Sequence, residues 1–362
     1  MNLHAMPSGS RRKRRVTMCV GVVALLVAAT IISANVITTR STASAVRVDD
    51  RRSTSSFSSM SSASEAVGPP APTRPERMSS TAPIRVLTPR DSPSGPPWKI
   101  ARATRIYTDS ARSTPPRGTV PAHFGRILRT VIRWPVTRAG SLAPGRHPLV
   151  VFAHGYAVES STYSRLLDDL AAAGIIVAAP EFPGESAALA GPPNESDLVN
   201  EPCDLEFLAM SLEREPPVGL AGALAHAPLV FAGHSDGATA AASAGYSTNN
   251  CRGPIPVAVV ALSSDDIVVK ADASGSSPAL LAATGTDDEV NPVGNTEKLW
   301  LHAPRPAWFL TVQGGSHLGT FTTDRDLARI DALIAAFVIA HTVDPNAATH
   351  MIASGRLHLY KR

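Results

Sequence analysis

The C-terminal two thirds of the chain contain short runs of consecutive apolar residues, separated by stretches in which apolar residues recur every three or four positions. Continuous apolar runs are typical of strands covered on both faces, and the second pattern is typical of helices. Strands are therefore predicted at 127–134, 149–153, 175–179, 229–232, 257–262, 279–283 and 307–312, and helices at 160–173, 199–212, 237–245 and 324–340. Their alternation predicts an α/β fold with a mostly parallel central sheet and helices on both faces.

The N-terminal part of the chain has a different pattern. Residues 1–15 end in five consecutive Arg and Lys residues, and residues 16–38 are apolar without a charged side chain. A basic flank before such a stretch indicates either a transmembrane anchor or a signal peptide. In both cases we expect residues 1–15 on the cytoplasmic side and the rest of the chain to be exported, as a membrane-bound or a secreted protein.

Residues 40–97 are rich in Ser, Thr, Pro and Arg and have no hydrophobic period. Such a composition cannot bury enough apolar surface to offset the entropy of ordering. The sequence therefore predicts a disordered linker over 40–97 and one folded domain over 98–362.

The net charge of +4 comes largely from the basic run near the N-terminus. A nucleic-acid surface needs Lys and Arg distributed over a folded element, so no nucleic-acid partner is expected. Cys203 and Cys251 lie in the predicted domain, where either a disulfide or two free thiols would fit an exported protein. No Cys/His spacing indicates zinc, and no metal or cofactor is expected.

The strongest chemical motif is Gly233-His234-Ser235-Asp236-Gly237, which follows an apolar strand and precedes a helix of small residues. A sharp strand-to-helix turn exposes the serine, and it needs very small residues two positions before and after it. Ser235 is therefore the predicted nucleophile.

A nucleophilic serine needs a base and an acid that orients the base, and both are expected downstream of Ser235. His317 lies in a Gly-rich loop just after the last predicted strand and is the predicted base. The acids after the strand at 279–283 are Asp287, Asp288 and Glu289, and Asp265 and Asp266 follow the strand at 257–262.

Two backbone N–H groups are the predicted oxyanion-binding donors, one of them from Asp236, directly after the nucleophile. The other is from Tyr156, which follows the apolar run 149–153 and the pair His154-Gly155. Glycine at 155 allows the backbone to approach a substrate closely. His154 is expected to hold this loop in place rather than to act as a base.

Several segments resemble the dienelactone-hydrolase-like and cutinase-like polyester hydrolase/lipase branch of bacterial α/β-hydrolases. They are 148–156, 174–180, 232–237 and the histidine loop 314–317. Platelet-activating-factor acetylhydrolases and plant chlorophyllases share this general resemblance. The resemblance extends over about 102–340 and implies the α/β-hydrolase fold with a serine nucleophile. In relatives of this fold the pattern Gly-x-x-Asp-x-x-x-Pro places the acid at Asp288, with Asp287 as the alternative.

The expected activity is the hydrolysis of carboxylic esters through an acyl-enzyme, with a small-molecule or lipid ester as the substrate. A serine peptidase or amidase on the same fold would use the same residues. A catalytically silent surface protein that only binds is the third hypothesis. The sequence does not determine the acyl group, the alcohol or the oligomeric state.

Overall fold

A computed structural model describes residues 97–247, 251, 253–269 and 277–362. The predictions for 1–15, for 16–38 and for all of 40–97 except its last residue lie outside these residues. Within the described part, no helix is long and apolar enough to cross a membrane.

Nine strands and six α-helices make up the described fold. The strands are β1 (Lys99–Thr114), β2 (His123–Val136), β3 (Leu149–Ala153), β4 (Ile176–Glu181), β5 (Leu229–His234), β6 (Ala258–Leu262), β7 (Ala279–Gly285), β8 (Ala307–Val312) and β9 (Leu357–Lys361). The helices are α1 (Ser164–Ala172), α2 (Glu201–Arg214), α3 (Ala221–Leu224), α4 (Asp236–Tyr246), α5 (Val293–His302) and α6 (Leu327–Thr342).

All nine strands form one sheet in the order β1-β2-β4-β3-β5-β6-β7-β8-β9. Strands β3 to β8 pair with one another in parallel, whereas β1, β2 and β9 are antiparallel to their neighbours. The prediction of a mostly parallel α/β sheet is confirmed. The sheet also has antiparallel strands at its edges, β1 and β2 at one edge and β9 at the other. Of these three, the sequence predicted only a part of β2, at 127–134.

The core lies on both faces of this sheet, because the parallel strands are buried on both sides. One apolar cluster joins the sheet to α2, α4 and α5, and the other joins it to α1 and α6. Every residue of β3, β5 and β6 is buried. This agrees with the continuous apolar runs from which these strands were predicted.

Several element boundaries differ from the predictions by a few residues, and for two of them the structure gives the physical reason. The strand predicted to stop before Pro180 continues to Glu181, because Pro180 pairs with the antiparallel β2 and lies past the last β4 residue paired with β3. The helix predicted from 160 begins with a 3₁₀ turn, Ser160–Tyr163. There the Ser160 hydroxyl donates to Glu181 (2.6 Å) instead of capping a helix.

Two interactions hold α2 to its surroundings. Cys203 of α2 forms a disulfide with Cys251 across 48 residues, which settles the alternative left open by the sequence. Arg126 of β2 donates to Asp197 and to Asp204, and all three side chains are fully buried. The antiparallel edge of the sheet is thus joined to a helix that packs on one face of the sheet.

Candidate active site

Ser235 lies at the turn between β5 and α4, with φ 56° and ψ −124°. This backbone conformation is rare for a residue with a side chain and indicates local strain. A Cβ on Gly233 would collide with the carbonyl oxygen of Gly237, and one on Gly237 would collide with that of Ala153. The structure therefore contains the crowded turn that the glycine motif predicted.

Ser235, His317 and Asp288 meet at the carboxyl edge of the sheet. The Ser235 hydroxyl lies 3.0 Å from Nε2 of His317, and Nδ1 of His317 lies 2.9 Å from both carboxylate oxygens of Asp288. Since Asp288 accepts at Nδ1, the imidazole presents Nε2 to the serine with a free lone pair. All three side chains are at least nine-tenths buried.

Asp288 is fixed by its own loop. Its Oδ1 accepts hydrogen bonds from the backbone N–H groups of Val290 (3.0 Å) and Asn291 (2.8 Å). Burial alone would raise the pKa of Asp288, but the hydrogen bonds from His317 and Asn291 hold that pKa below its ordinary value. The carboxyl group is therefore ionised at neutral pH.

The other predicted acids do not contact the imidazole ring. Asp287 is exposed and accepts from Thr286, Asp265 accepts from Asn295, and Asp266 pairs with Lys298. Within the described residues, Glu289 accepts one hydrogen bond, from the backbone N–H of His317 (3.2 Å). Of the five candidates, Asp288 is the one that the structure brings to the ring.

The two predicted oxyanion donors belong to segments that meet at the serine. Asp236 is the first residue of α4, where an N–H has no acceptor within its helix. The N–H of Tyr156 donates to no residue in the described part of the chain. A Cβ at Gly155 would come within 3.1 Å of the Ser235 Cβ, so glycine relieves a tight contact where the two loops approach each other.

A comparison with protein families supports this reading of the fold. The family model described as Chlorophyllase matches residues 134–281. Together with the nine-stranded mixed sheet, this match shows that the chain has the α/β-hydrolase fold. The match includes Tyr156, Ser235 and Asp236 and ends before Asp288 and His317. No curated protein matches the chain.

The family match implies a serine-type ester hydrolase of the α/β-hydrolase superfamily. Among the described residues, no group of three or more His, Cys, Asp or Glu side chains has an arrangement that could hold a metal ion.

His154 binds the backbone of the loop that carries Tyr156. Its Nε2 accepts from the N–H of Phe182 (3.0 Å), and its Nδ1–H donates to the carbonyl of Gly155 (2.9 Å). Burial lowers the pKa of His154, which keeps the ring neutral. The prediction that His154 holds this loop is confirmed.

Three carboxyl groups that the sequence analysis did not single out for chemistry lie near the oxyanion donors. Burial raises the pKa of Asp236 to about 6, and Glu195 and Asp265 add to this rise. Burial and Asp236 also raise the pKa of Glu185 to about 8. Glu185 and Glu201 are fully buried, and they have no hydrogen-bond partner within the described residues other than each other.

Proposed function

We propose that this α/β-hydrolase is a serine carboxylic-ester hydrolase, with Ser235 as the nucleophile, His317 as the base and Asp288 as the orienting acid. The observation that carries the proposal is the continuous hydrogen-bonded line from Asp288 through His317 to the Ser235 hydroxyl. The strained turn at Ser235 supports it, since strain of this kind clusters at functional sites.

The first half of the reaction forms an acyl-enzyme. Oγ of Ser235 attacks the ester carbonyl carbon while its proton passes to Nε2 of His317. The N–H groups of Tyr156 and Asp236 stabilise the oxyanion of the tetrahedral intermediate. When the intermediate collapses, the bond to the alcohol oxygen breaks and the leaving alkoxide takes the proton from His317.

The second half removes the acyl group. Water attacks the acyl carbonyl and gives a proton to His317, and the bond to Oγ of Ser235 then breaks as Oγ takes that proton back. The ionised Asp288 stabilises the imidazolium that exists in both halves. The cycle consumes one ester and one water and releases an alcohol and an acid.

The test is labelling by a fluorophosphonate together with hydrolysis of p-nitrophenyl esters. Wild type should react with both, and Ser235→Ala should react with neither. Asp288→Asn should lower kcat by about 10³–10⁴-fold because the imidazole then loses its acceptor at Nδ1. Asp287→Asn is the matched control and should leave kcat unchanged. An unlabelled wild type would mean a catalytically silent protein.

The leaving group decides between an esterase and an amidase. A p-nitrophenyl ester and a p-nitroanilide that share one acyl group should be compared on the same preparation. We expect kcat/KM for the ester to exceed that for the anilide by several orders of magnitude. Comparable values would favour the peptidase or amidase hypothesis.

We also propose that the domain is exported, either secreted or bound to the membrane through residues 16–38. The Cys203–Cys251 disulfide supports this, because disulfides persist in oxidising compartments. Mass spectrometry of the mature N-terminus, with fractionation of membrane and soluble protein, tests the proposal. A chain found reduced in the cytoplasm would contradict it.

A further inference from the structure

A second line of hydrogen bonds lies directly behind the proposed triad. The Gly155 N–H donates to the hydroxyl of Tyr163 (3.4 Å), which lies 2.8 Å from Nδ1 of His234. Nε2 of His234 lies 3.1 Å from the backbone carbonyl oxygen of His317. Tyr163 and His234 are almost fully buried, and neither has a role in the reaction written above.

The direction of every bond in this line follows from its ends. A carbonyl oxygen only accepts, so Nε2 of His234 must carry the proton that faces His317. A neutral imidazole then accepts at Nδ1, so the Tyr163 hydroxyl donates to it. The oxygen of Tyr163 is left to accept from Gly155. Burial and the nearby His317 lower the pKa of His234 to about 3, which agrees with a neutral ring.

The line connects three segments that are far apart in sequence. Gly155 precedes the proposed oxyanion donor Tyr156, His234 precedes the proposed nucleophile, and His317 is the proposed base. Ring contacts run along the same path, with centroids 4.6 Å apart for His234 and His317 and 5.4 Å apart for Tyr163 and His234. Each segment supplies a different part of the reaction, so their relative positions set the geometry of attack.

We infer that Tyr163 and His234 are positioning residues that hold the oxyanion loop, the serine turn and the histidine loop in register. This inference rests on the proposed function and deepens it. The contact with His234 holds the backbone carbonyl of His317, and Asp288 holds its imidazole, so the residue has two anchors. A displacement near 1 Å in such a constellation lowers the rate by about 100-fold.

A purely structural role would affect stability and leave the turnover of folded enzyme unchanged. Tyr163→Phe keeps the ring and removes the hydroxyl that links Gly155 to His234. We expect it to lower kcat and the fluorophosphonate labelling rate by about tenfold or more, with KM changed by less than about twofold. Tyr246→Phe is the matched control, since the buried Tyr246 hydroxyl donates to Pro278 at 3.0 Å outside the three segments.

Two substitutions at His234 separate the donor from the ring. His234→Phe removes both nitrogens, whereas His234→Gln places an amide N–H where Nε2–H stood. We expect the Gln variant to retain more kcat than the Phe variant. Because Tyr163 and His234 act as one line, the double variant Tyr163→Phe/His234→Phe should lose little more than His234→Phe alone.

The measurements are kcat, KM, labelling rate and thermal midpoint on the full chain, with Ser235→Ala in parallel. Tyr163→Phe with the kcat of Tyr246→Phe, or a loss confined to KM, would overturn the positioning role while the proposed function stands. A wild type no more active than Ser235→Ala would overturn the proposed function itself. Strictly additive losses of kcat in the double variant would overturn the hypothesis that Tyr163 and His234 act as one hydrogen-bonded line.

Discussion

Asp331 of α6 is 1% exposed, and no cation or backbone N–H group among the described residues donates a hydrogen bond to its carboxyl group. Burial, together with a hydrogen bond and repulsion from Asp169, raises the pKa of Asp331 from 3.8 to about 9. Asp331 therefore holds a proton in the folded protein at neutral pH and donates it towards Asp169. Replacement by Asn supplies a neutral donor of the same shape without the need for a proton.

The size of the effect follows from the two pKa values. At pH 7 this carboxyl group has lost its proton in the unfolded chain, and folding must restore it. The pH then lies 7.0 − 3.8, about 3 units, above the pKa of the group in the unfolded chain. At about 1.4 kcal/mol per unit, the proton costs about 4 kcal/mol of stability. The penalty is absent below the unfolded pKa, grows as pH rises above about 4, and stops growing above about 9. Asp331→Asn should thus stabilise by about 4 kcal/mol at pH 7 and by almost nothing near pH 4.

Equilibrium unfolding in urea between pH 4.5 and 8 measures this difference. Asp324→Asn is a control of opposite sign. Burial opposes ionisation of Asp324, but the ion pair with Arg356 outweighs it and lowers the pKa of Asp324. That variant should destabilise at pH 7 and lose its effect as pH falls. If Asp331→Asn differs from wild type by the same free energy at pH 4.5 and at pH 8, the reasoning is refuted.

Three further predictions concern the turn, the disulfide and the oxyanion side of the site. Gly237→Ala should destabilise the fold by about 1–3 kcal/mol or more and abolish labelling, because its Cβ would collide with the Ala153 carbonyl. Gly294→Ala, which has open space around it, should have neither effect. Circular dichroism and probe labelling measure both variants. Cys203→Ser should lower the free energy of unfolding in urea by about 4 kcal/mol, because the disulfide closes a 48-residue separation. Adding reductant to this variant should cost no further stability. Asp236→Asn should raise the ratio of kcat/KM for an ester that carries a carboxylate to kcat/KM for a neutral ester. It should do so at pH 8 but not at pH 5, because the pKa of Asp236 is about 6. The same change in this ratio at both pH values would contradict the prediction.

The predictability of the fold depended on burial. The strands at 149–153 and 229–232 are covered on both faces, so their apolar runs predicted them correctly. By contrast, β1 is an edge strand of 16 residues in which exposed and buried positions do not alternate cleanly. Its sequence contains Arg, Thr and Asp in place of an apolar run, and only pairing with β2 makes it a strand. Edge strands of this kind carry little local signal.

The predictability of the site depended on sequence distance. Ser235 and its flanking glycines form a local motif, and His317 lies in a loop whose glycines and position identify it. The choice of Asp288 over Asp287 came from the family resemblance, because neighbouring acids differ only in which way the loop turns them. Tyr163 and His234 are 71 residues apart, and neither belongs to a spacing that predicts their hydrogen bond. Contacts of this range depend on the packed sheet and cannot be obtained from local pattern.

The acids around the serine show how one environment can give carboxyl groups opposite states. Asp288 and Glu185 are both buried, yet the pKa of Asp288 is lowered and that of Glu185 is raised to about 8. The difference lies in their partners. Asp288 accepts from His317 and from two backbone N–H groups, whereas Glu185 faces Glu201 and Asp236, and no cation among the described residues forms a hydrogen bond with it. In the proposed mechanism, the negative charge at neutral pH is therefore kept where an imidazolium would be stabilised, and a proton on Glu185 reduces negative charge on the side where the oxyanion would form.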